Sequence, residues 1–398
     1  MTQKCTDKLI NFANGPERLF GLDAARGVAS LIVVLQHWPQ HFWLVPGFNM
    51  KTADLPLFAL LKPFYTEGAR AVSFFFVLSG FIFYWLYAKR IHERKVSLVD
   101  FAIFRLARLY PLHLLTLLLV AFGQWRIHRW LGRDFVYEWN DAKHFLLNVA
   151  LIQNWGVQNG YSWNGPSWSI SVEIGLYIVF FISCRLLRPS LWQALAMLFA
   201  TWLLAPAAQI FSSAVPFFAG GICYGIWRTV RSTWTYSRHS LLLLLTITAW
   251  RFGFLLSDTE FSNATARYIA DIAGGGRWGT AVTAAVHKLL QRQFDIVIFP
   301  LTVLTAALSE QVFTKFPWRR LNAFGNLSFG IYLLHFPLQI AFVCWALSNG
   351  VDAGFFVQPS TMTVFFVVLI LLSVLSYTFF ERPTMDLIRS AWRRRKSR

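Results

Sequence analysis

Charge is what this 398-residue chain is short of: Asp, Glu, Lys and Arg make up 14% of it, against about a quarter of an ordinary soluble protein. Acidic residues are the scarcer sign, 19 against 37 Lys and Arg. Cysteine is scarce too. Cys5, Cys184, Cys223 and Cys344 are scattered, with no CxxC and no His/Cys cluster, which argues against a disulfide framework or a zinc site. The first 18 residues are polar and mixed in charge, unlike a cleaved signal peptide. Nothing is low-complexity, and no soluble domain of useful length is expected at either end.

What is abundant is apolar. Hydrophobic residues make up 56% of the chain, more than one aqueous core could hide. Runs of about 20 apolar residues recur, the length that crosses a bilayer as a helix. They fall near 22–45, 67–88, 107–125, 168–187, 190–211, 213–229, 240–257, 294–313, 323–348 and 360–380. The expected fold is therefore all-α, a polytopic transmembrane helical bundle of about ten spans. The stretch 144–156 is short and broken by Asn and Gln, so it reads as an interfacial or re-entrant segment. The chain divides into a segment 1–21, a membrane domain 22–383 and a basic tail 384–398.

The net charge of +18 would suggest nucleic acid as partner in a soluble protein. Here the basic residues sit between the apolar runs, where they act as topology signals and contacts to anionic lipid; no nucleic-acid partner is expected. Placing both termini in the cytoplasm puts most Lys and Arg on the inner side. The segment 125–167 then lies outside, rich in Trp, Tyr and Asn. Aromatic faces beside amides suit a carbohydrate, and they equally suit an interfacial aromatic belt.

Ionisable residues inside spans are costly and mark function. Arg26 and His37 are eleven residues apart, about 20° beyond three helical turns, so they share a helix face at roughly 16 Å separation. Arg105 and Arg108 lie side by side at a spacing of three, where two guanidinium forks can hold phosphate oxygens. Glu173 lies roughly 8 Å into its span, close to the depth expected for His37, and needs a partner, with His37 a candidate. His335 lies roughly 16 Å into its own span. Two histidines and a carboxylate at similar depth could form an acid/base centre. No ligand set demands a metal.

Six segments, LDAARGVASLIVVLQH, FFFVLSGFI, FRLARLYPLHLL, PSWSISVEIGLY, GNLSFGIYLLHFP and FERP, resemble in order the acyltransferase-3 family of bacterial membrane proteins, which includes O-antigen and exopolysaccharide acetyltransferases. The resemblance runs from about residue 20 to residue 383. It implies transfer of an acyl group, usually acetyl, from cytoplasmic acetyl-CoA to a hydroxyl of an extracytoplasmic or lipid-linked carbohydrate, in the bacterial inner membrane. The family's Arg-x10-His falls on Arg26 and His37, its Arg-x-x-Arg on Arg105 and Arg108, and its SVE glutamate on Glu173. Many relatives have two acidic residues in that last motif; this chain has one. Some relatives also carry a C-terminal hydrolase-like domain; none is expected here after the last span. On this reading Arg26, Arg105 and Arg108 bind the donor, while His37, Glu173 and His335 form the catalytic set. His37 acts either as general base or as a transiently acylated nucleophile. The rival reading is a transporter or flippase with an intramembrane polar relay. The oligomeric state is not legible.

The topology is tested in a cysteine-free background. Asn140→Cys and Thr280→Cys should react with an impermeant maleimide from outside, and His92→Cys should not; reversed labelling would invert the donor and acceptor faces.

Overall fold

The computed structural model describes residues 18–42, 51–257, 292–313 and 322–396, with 264–265, 268–269, 272, 290 and 316–317 as isolated positions. Cys5, Thr280 and the two outermost parts of the expected scheme, residues 1–17 and 397–398, lie outside the described residues. Among those described, the chain is helix, turn and loop, with no strand.

The first helix, α1, is Phe20–His37, extended by a 3-10 turn over Trp38–Phe42; α2 is Phe58–Glu67. Next comes α3 (Ala71–Phe83), which runs through a π-helical turn at Tyr84–Ala88 into the short α4 (Lys89–His92). Helix α5 (Leu98–Leu131) is followed by α6 (Ala142–Val149), α7 (Trp168–Leu186), α8 (Leu191–Leu204), α9 (Gln209–Val230) and α10 (Tyr236–Ser257). A π turn at Phe294–Ile298 leads into α11 (Phe299–Val312), then α12 (Asn322–Ser348), α13 (Gly354–Val357) and α14 (Pro359–Leu375). A third π turn at Ser376–Glu381 leads into α15 (Arg382–Lys396).

Among the described residues every expected span coincides with helix, and seven helices are long and apolar enough to cross a membrane on length and composition. The other three depart for identifiable reasons. Helix α1 carries Asp23 and Arg26 in its first half. The expected span 190–211 ends at Leu204, because Ala205–Ala208 turn the chain before α9; fourteen residues reach only about 21 Å. In the expected span 294–313, the α-helical part is Phe299–Val312. Helix α5, at 34 residues, is about 50 Å long and overshoots a hydrocarbon core of about 30 Å. It starts where Ser97 caps it, accepting from the Asp100 N–H at 3.1 Å, and stops at Gly132 with φ +65°, a left-handed cap open to glycine without strain.

The centre of the bundle is α1, α3, α7, α9 and α12, whose facing sides carry the buried Val33, Val34, Val77, Phe81, Phe180, Phe217 and Leu333. Lipid offers no hydrophobic drive between helices, so close backbone approach must supply the packing. Gly80 of α3 lies against the Phe217 carbonyl of α9, and Gly220 of α9 against the Val77 carbonyl of α3; a Cβ at either would overlap backbone. Outer helices carry the opposite character: Leu241, Leu244 and Leu245 of α10 and Val364, Val367 and Leu371 of α14 are exposed, as a lipid-facing wall requires.

Residues 132–167 fold back onto the bundle instead of forming a loose loop. Asp141 caps α6, accepting from the His144 N–H at 2.8 Å, and that bond holds the Asp141 carboxyl below its ordinary value. Gln124 of α5 makes two bonds to the Phe135 backbone, at 2.9 and 2.8 Å. Asn164 donates to Thr116 at 3.1 Å and Trp155 to the Ser171 carbonyl at 2.9 Å. Instead of a free tail, the C-terminal basic residues form α15, which lies on the start of α5: Trp392 and Lys396 both donate to Asp100, at 2.8 and 2.6 Å.

Gly220→Leu should destabilise the fold by about 1–3 kcal/mol through overpacking, seen as a lower melting temperature of the detergent-solubilised protein. Leu244→Ala, on the lipid-facing wall, should leave it unchanged.

Candidate functional site

The bundle has a basic end, where α1 and α5 begin and α15 lies, and an aromatic end formed by residues 132–167. Two cavities open in succession from the basic end. The outer one is a vestibule between α1, α12 and α15, lined by Arg18, Asp23, Arg26, Arg108, Glu381 and Arg389 among others. The inner one is enclosed by α1, α3, α5, α7 and α12 and lined by Arg26, Ser79, Arg105, Arg108, Glu173 and Tyr332 among others. Arg26 and Arg108, with Ile82 and Phe329, line both cavities, so the two adjoin at a pair of guanidinium groups.

Each arginine is held differently. Arg26 donates from Nε and NH2 to the Gly325 carbonyl, at 3.1 and 2.5 Å, and from NH2 to Asp23 at 2.9 Å. Asp23 also accepts from Arg18 at 2.6 Å, and Arg18 donates to Asn326 at 2.6 Å. Arg105 donates to the Tyr87 hydroxyl, and its guanidinium lies 4.6 Å from the ring centroids of both Phe83 and Tyr87, a cation–π arrangement that offsets part of its desolvation. Arg108, one turn on, is exposed to the cavities. The two arginines therefore present different faces: Arg105 is caged by aromatics while Arg108 is open.

Glu173 lies in the inner cavity with the arginines. Its Oε1 accepts from Tyr177 at 2.7 Å and from Ser79 at 3.3 Å. The sequence suggested His37 as its partner; the structure supplies Tyr177, one turn along the same helix, and Ser79 from α3. Counting residues from a span's end gives depth and leaves open which neighbour a helix face meets.

His37 pairs instead with His335. Their rings stack at 5.0 Å between centroids and 25° between planes. His37 Nδ1 donates to the Val33 carbonyl at 3.0 Å, and His335 Nδ1 to the Tyr332 carbonyl at 2.6 Å. A carbonyl only accepts, so in the neutral rings both Nδ1 atoms carry the proton and both Nε2 atoms keep a lone pair. His335 Nε2 is buried without a partner. Gln339 donates to the His37 carbonyl at 2.9 Å, leaving its Oε1 buried and unpartnered. His335 Nε2 and Gln339 Oε1 are thus buried acceptors without a donor, suited to a group that donates.

Between the inner cavity and the histidine pair stands Tyr332. Its hydroxyl donates to the Pro166 carbonyl at 2.5 Å and, its one proton thus used, accepts from Ser169 at 2.7 Å. Ser169 is one turn before Glu173 and Tyr332 one turn before His335, so this bridge separates the carboxylate from the histidines. On the aromatic side, burial pushes the Tyr137 phenol up to about 12; it stays neutral. Tyr137 packs on Phe336 at 5.3 Å.

The site thus gathers Arg26, Arg105, Arg108 and Glu173 around one chamber, with His37 and His335 packed on each other beyond Tyr332. Sequence reading missed Asp23, Tyr177 and Tyr332. Each is three or four residues from a residue it did single out, so the i, i+3 and i, i+4 neighbour rule applied to those residues was the available signal. Arg389 had no such signal, because only the docking of α15 brings it to the vestibule. Among the described residues no group of three His, Cys, Asp or Glu side chains is placed to hold a metal ion.

Comparison with known proteins adds an independent line. Residues 19–379 match the family model of an acyltransferase domain, the acyltransferase-3 type. "Protein 2 in picA locus" of Rhizobium radiobacter is 36% identical over 106 residues, 27% of this chain and 46% of that protein. "Acyltransferase MdmB" of Streptomyces mycarofaciens is 31% identical over 173 residues, 43% of this chain and 40% of that protein. The matched part thus spans less than half the length of either relative. No solved structure matches the chain.

Tyr332→Phe should destabilise the protein by about 1–3 kcal/mol, since it strands the Ser169 hydroxyl and the Pro166 carbonyl in a buried place; thermal unfolding in detergent measures it. Tyr161→Phe, at an exposed phenol, should cost under about 0.5 kcal/mol.

Proposed function

The chain belongs to the acyltransferase-3 family, and on that premise we propose that it is a multi-pass membrane O-acyltransferase that moves an acetyl group from acetyl-CoA at its basic end to a sugar hydroxyl at its aromatic end. The observation that carries this reading is the row of guanidinium groups running inward from Arg18 and Arg389 through Arg26 and Arg108 to Arg105, ending under the Tyr332 bridge. Guanidinium forks match phosphate oxygens. A CoA nucleotide in the vestibule would direct its pantetheine arm along this row, so the basic end faces the cytoplasm. Asp23 and Glu173 offset part of that charge, Asp23 by bonding both Arg18 and Arg26.

In this mechanism the acceptor hydroxyl lies against the histidine pair. His37 Nε2 removes its proton, and the oxygen attacks the thioester carbonyl carbon. The tetrahedral adduct collapses by breaking the C–S bond, and the proton passes from His37 to the departing thiolate. His335, stacked on His37 and with a free Nε2, holds a second hydroxyl of the acceptor, as does Gln339 through Oε1. The amide and aromatic groups of residues 132–167 suit a saccharide, free or lipid-linked. The membrane is the cytoplasmic membrane of a bacterium.

Purified protein reconstituted in liposomes with acetyl-CoA and a surface-polysaccharide fraction tests this. Wild type should release free CoA, and His37→Ala should be slower by about 10²–10⁴-fold, the usual contribution of a general base. Arg105→Ala with Arg108→Ala should weaken acetyl-CoA binding while the protein still inserts. Movement of an unmodified saccharide with no CoA released would replace this reading with a transporter.

A further inference from the structure

A second cavity opens at the same basic end on the other side of the π turn in α3. Trp85 and Leu86 of that turn face the vestibule, whereas Tyr84 and Ala88 line the second cavity. Its remaining walls come from α4, the α7–α8 link and the last turns of α9, and they bring Lys89, Arg188 and Arg228 together. The one acidic side chain among its lining residues, Glu93, is taken up by Lys95 at 2.7 Å and Lys89 at 3.6 Å. Neither Arg188 nor Arg228 has an acidic partner among the described residues. Arg228 lies one turn beyond Tyr224 on the same wall.

The rim of this cavity is apolar and outward-facing. Leu191 and Ile226 are 40% and 37% exposed, and Leu186 and Trp192 beside them are 75% and 78% exposed. Three cations above a wall of exposed aliphatic and indole groups match the level where hydrocarbon meets headgroup. A free phosphate would be served by the cations alone and leaves the apolar rim without a role. We propose that this cavity binds the phosphate of an anionic phospholipid, between Arg188, Arg228 and Lys89, with its acyl chains lying along Leu191, Ile226 and Trp192. The site is separate from the acyl-transfer passage and stands whether or not that passage takes acetyl-CoA.

Native mass spectrometry of the full chain in neutral detergent tests it, with dioleoylphosphatidylglycerol, dioleoylphosphatidylcholine, glycerophosphoglycerol and inorganic phosphate as probes. The phosphatidylglycerol should bind preferentially, and Arg188→Gln and Arg228→Gln should each weaken it about five-fold. Arg129→Gln, exposed at the far end of α5, should not. Binding of glycerophosphoglycerol or inorganic phosphate as tight as that of the lipid would overturn the lipid assignment in favour of a free anion. Equal binding of the two lipids, or unaltered affinity in both arginine variants, would overturn the site. Should a variant fail to fold, a photoreactive phosphatidylglycerol analogue on wild type decides: labelling at 186–192 or 224–229 supports the site, and labelling confined elsewhere overturns it.

Discussion

A guanidinium group buried among membrane helices must find acceptors inside the protein, because the bilayer offers none. Arg26 meets that demand across two helices. It bonds the Gly325 carbonyl near the start of α12 and Asp23 one turn below itself, while Asp23 also holds Arg18, which reaches Asn326. The result is a clamp between the first turns of α1 and α12. Gly325 allows it, since a side chain there would strike Asp23. With the lower ends of two helices locked, their next turns are brought into register, and His37 stacks on His335 three turns above. The charged clamp at one end therefore sets the geometry of the histidine pair at the other.

Around this clamp the bundle uses two different adhesives. At α3–α9 it is close backbone approach over Gly80 and Gly220. Near the site it is aromatic: Phe83 alone lies within 6 Å, centroid to centroid, of Tyr87, Phe101, Tyr177, Phe180 and Phe217. Rings tolerate a buried cation where aliphatic groups would not, and Arg105 sits among them. The same aromatic cluster thus packs α3 against α5, α7 and α9 and accommodates the charge in the inner chamber.

Among the described residues, three π turns interrupt otherwise regular helices, at Tyr84–Ala88, Phe294–Ile298 and Ser376–Glu381. Each adds a residue to a turn and so rotates the helix beyond it. The first points Tyr84 toward Gln193 and Tyr87 toward Arg105. The third places Glu381 in the vestibule, where Ser376 donates to it at 2.8 Å. Such rotations leave little trace in hydropathy, so apolar run lengths alone miss them.

Composition and apolar run length were enough to determine an all-helical membrane bundle, because both reflect transfer of side chains into lipid, a property of each segment alone. Helical spacing was enough to put Arg26 and His37 on one face, and both do meet α12. Local rules could equally have added Asp23, Tyr177 and Tyr332. What only the tertiary structure decided is which faces meet: that His37 answers His335 and not Glu173, that Tyr332 stands between them, and that α15 brings Arg389 to the vestibule. Those outcomes depend on helix rotation, tilt and close approach, which are set by contacts between residues hundreds of positions apart. No periodicity within one segment encodes them.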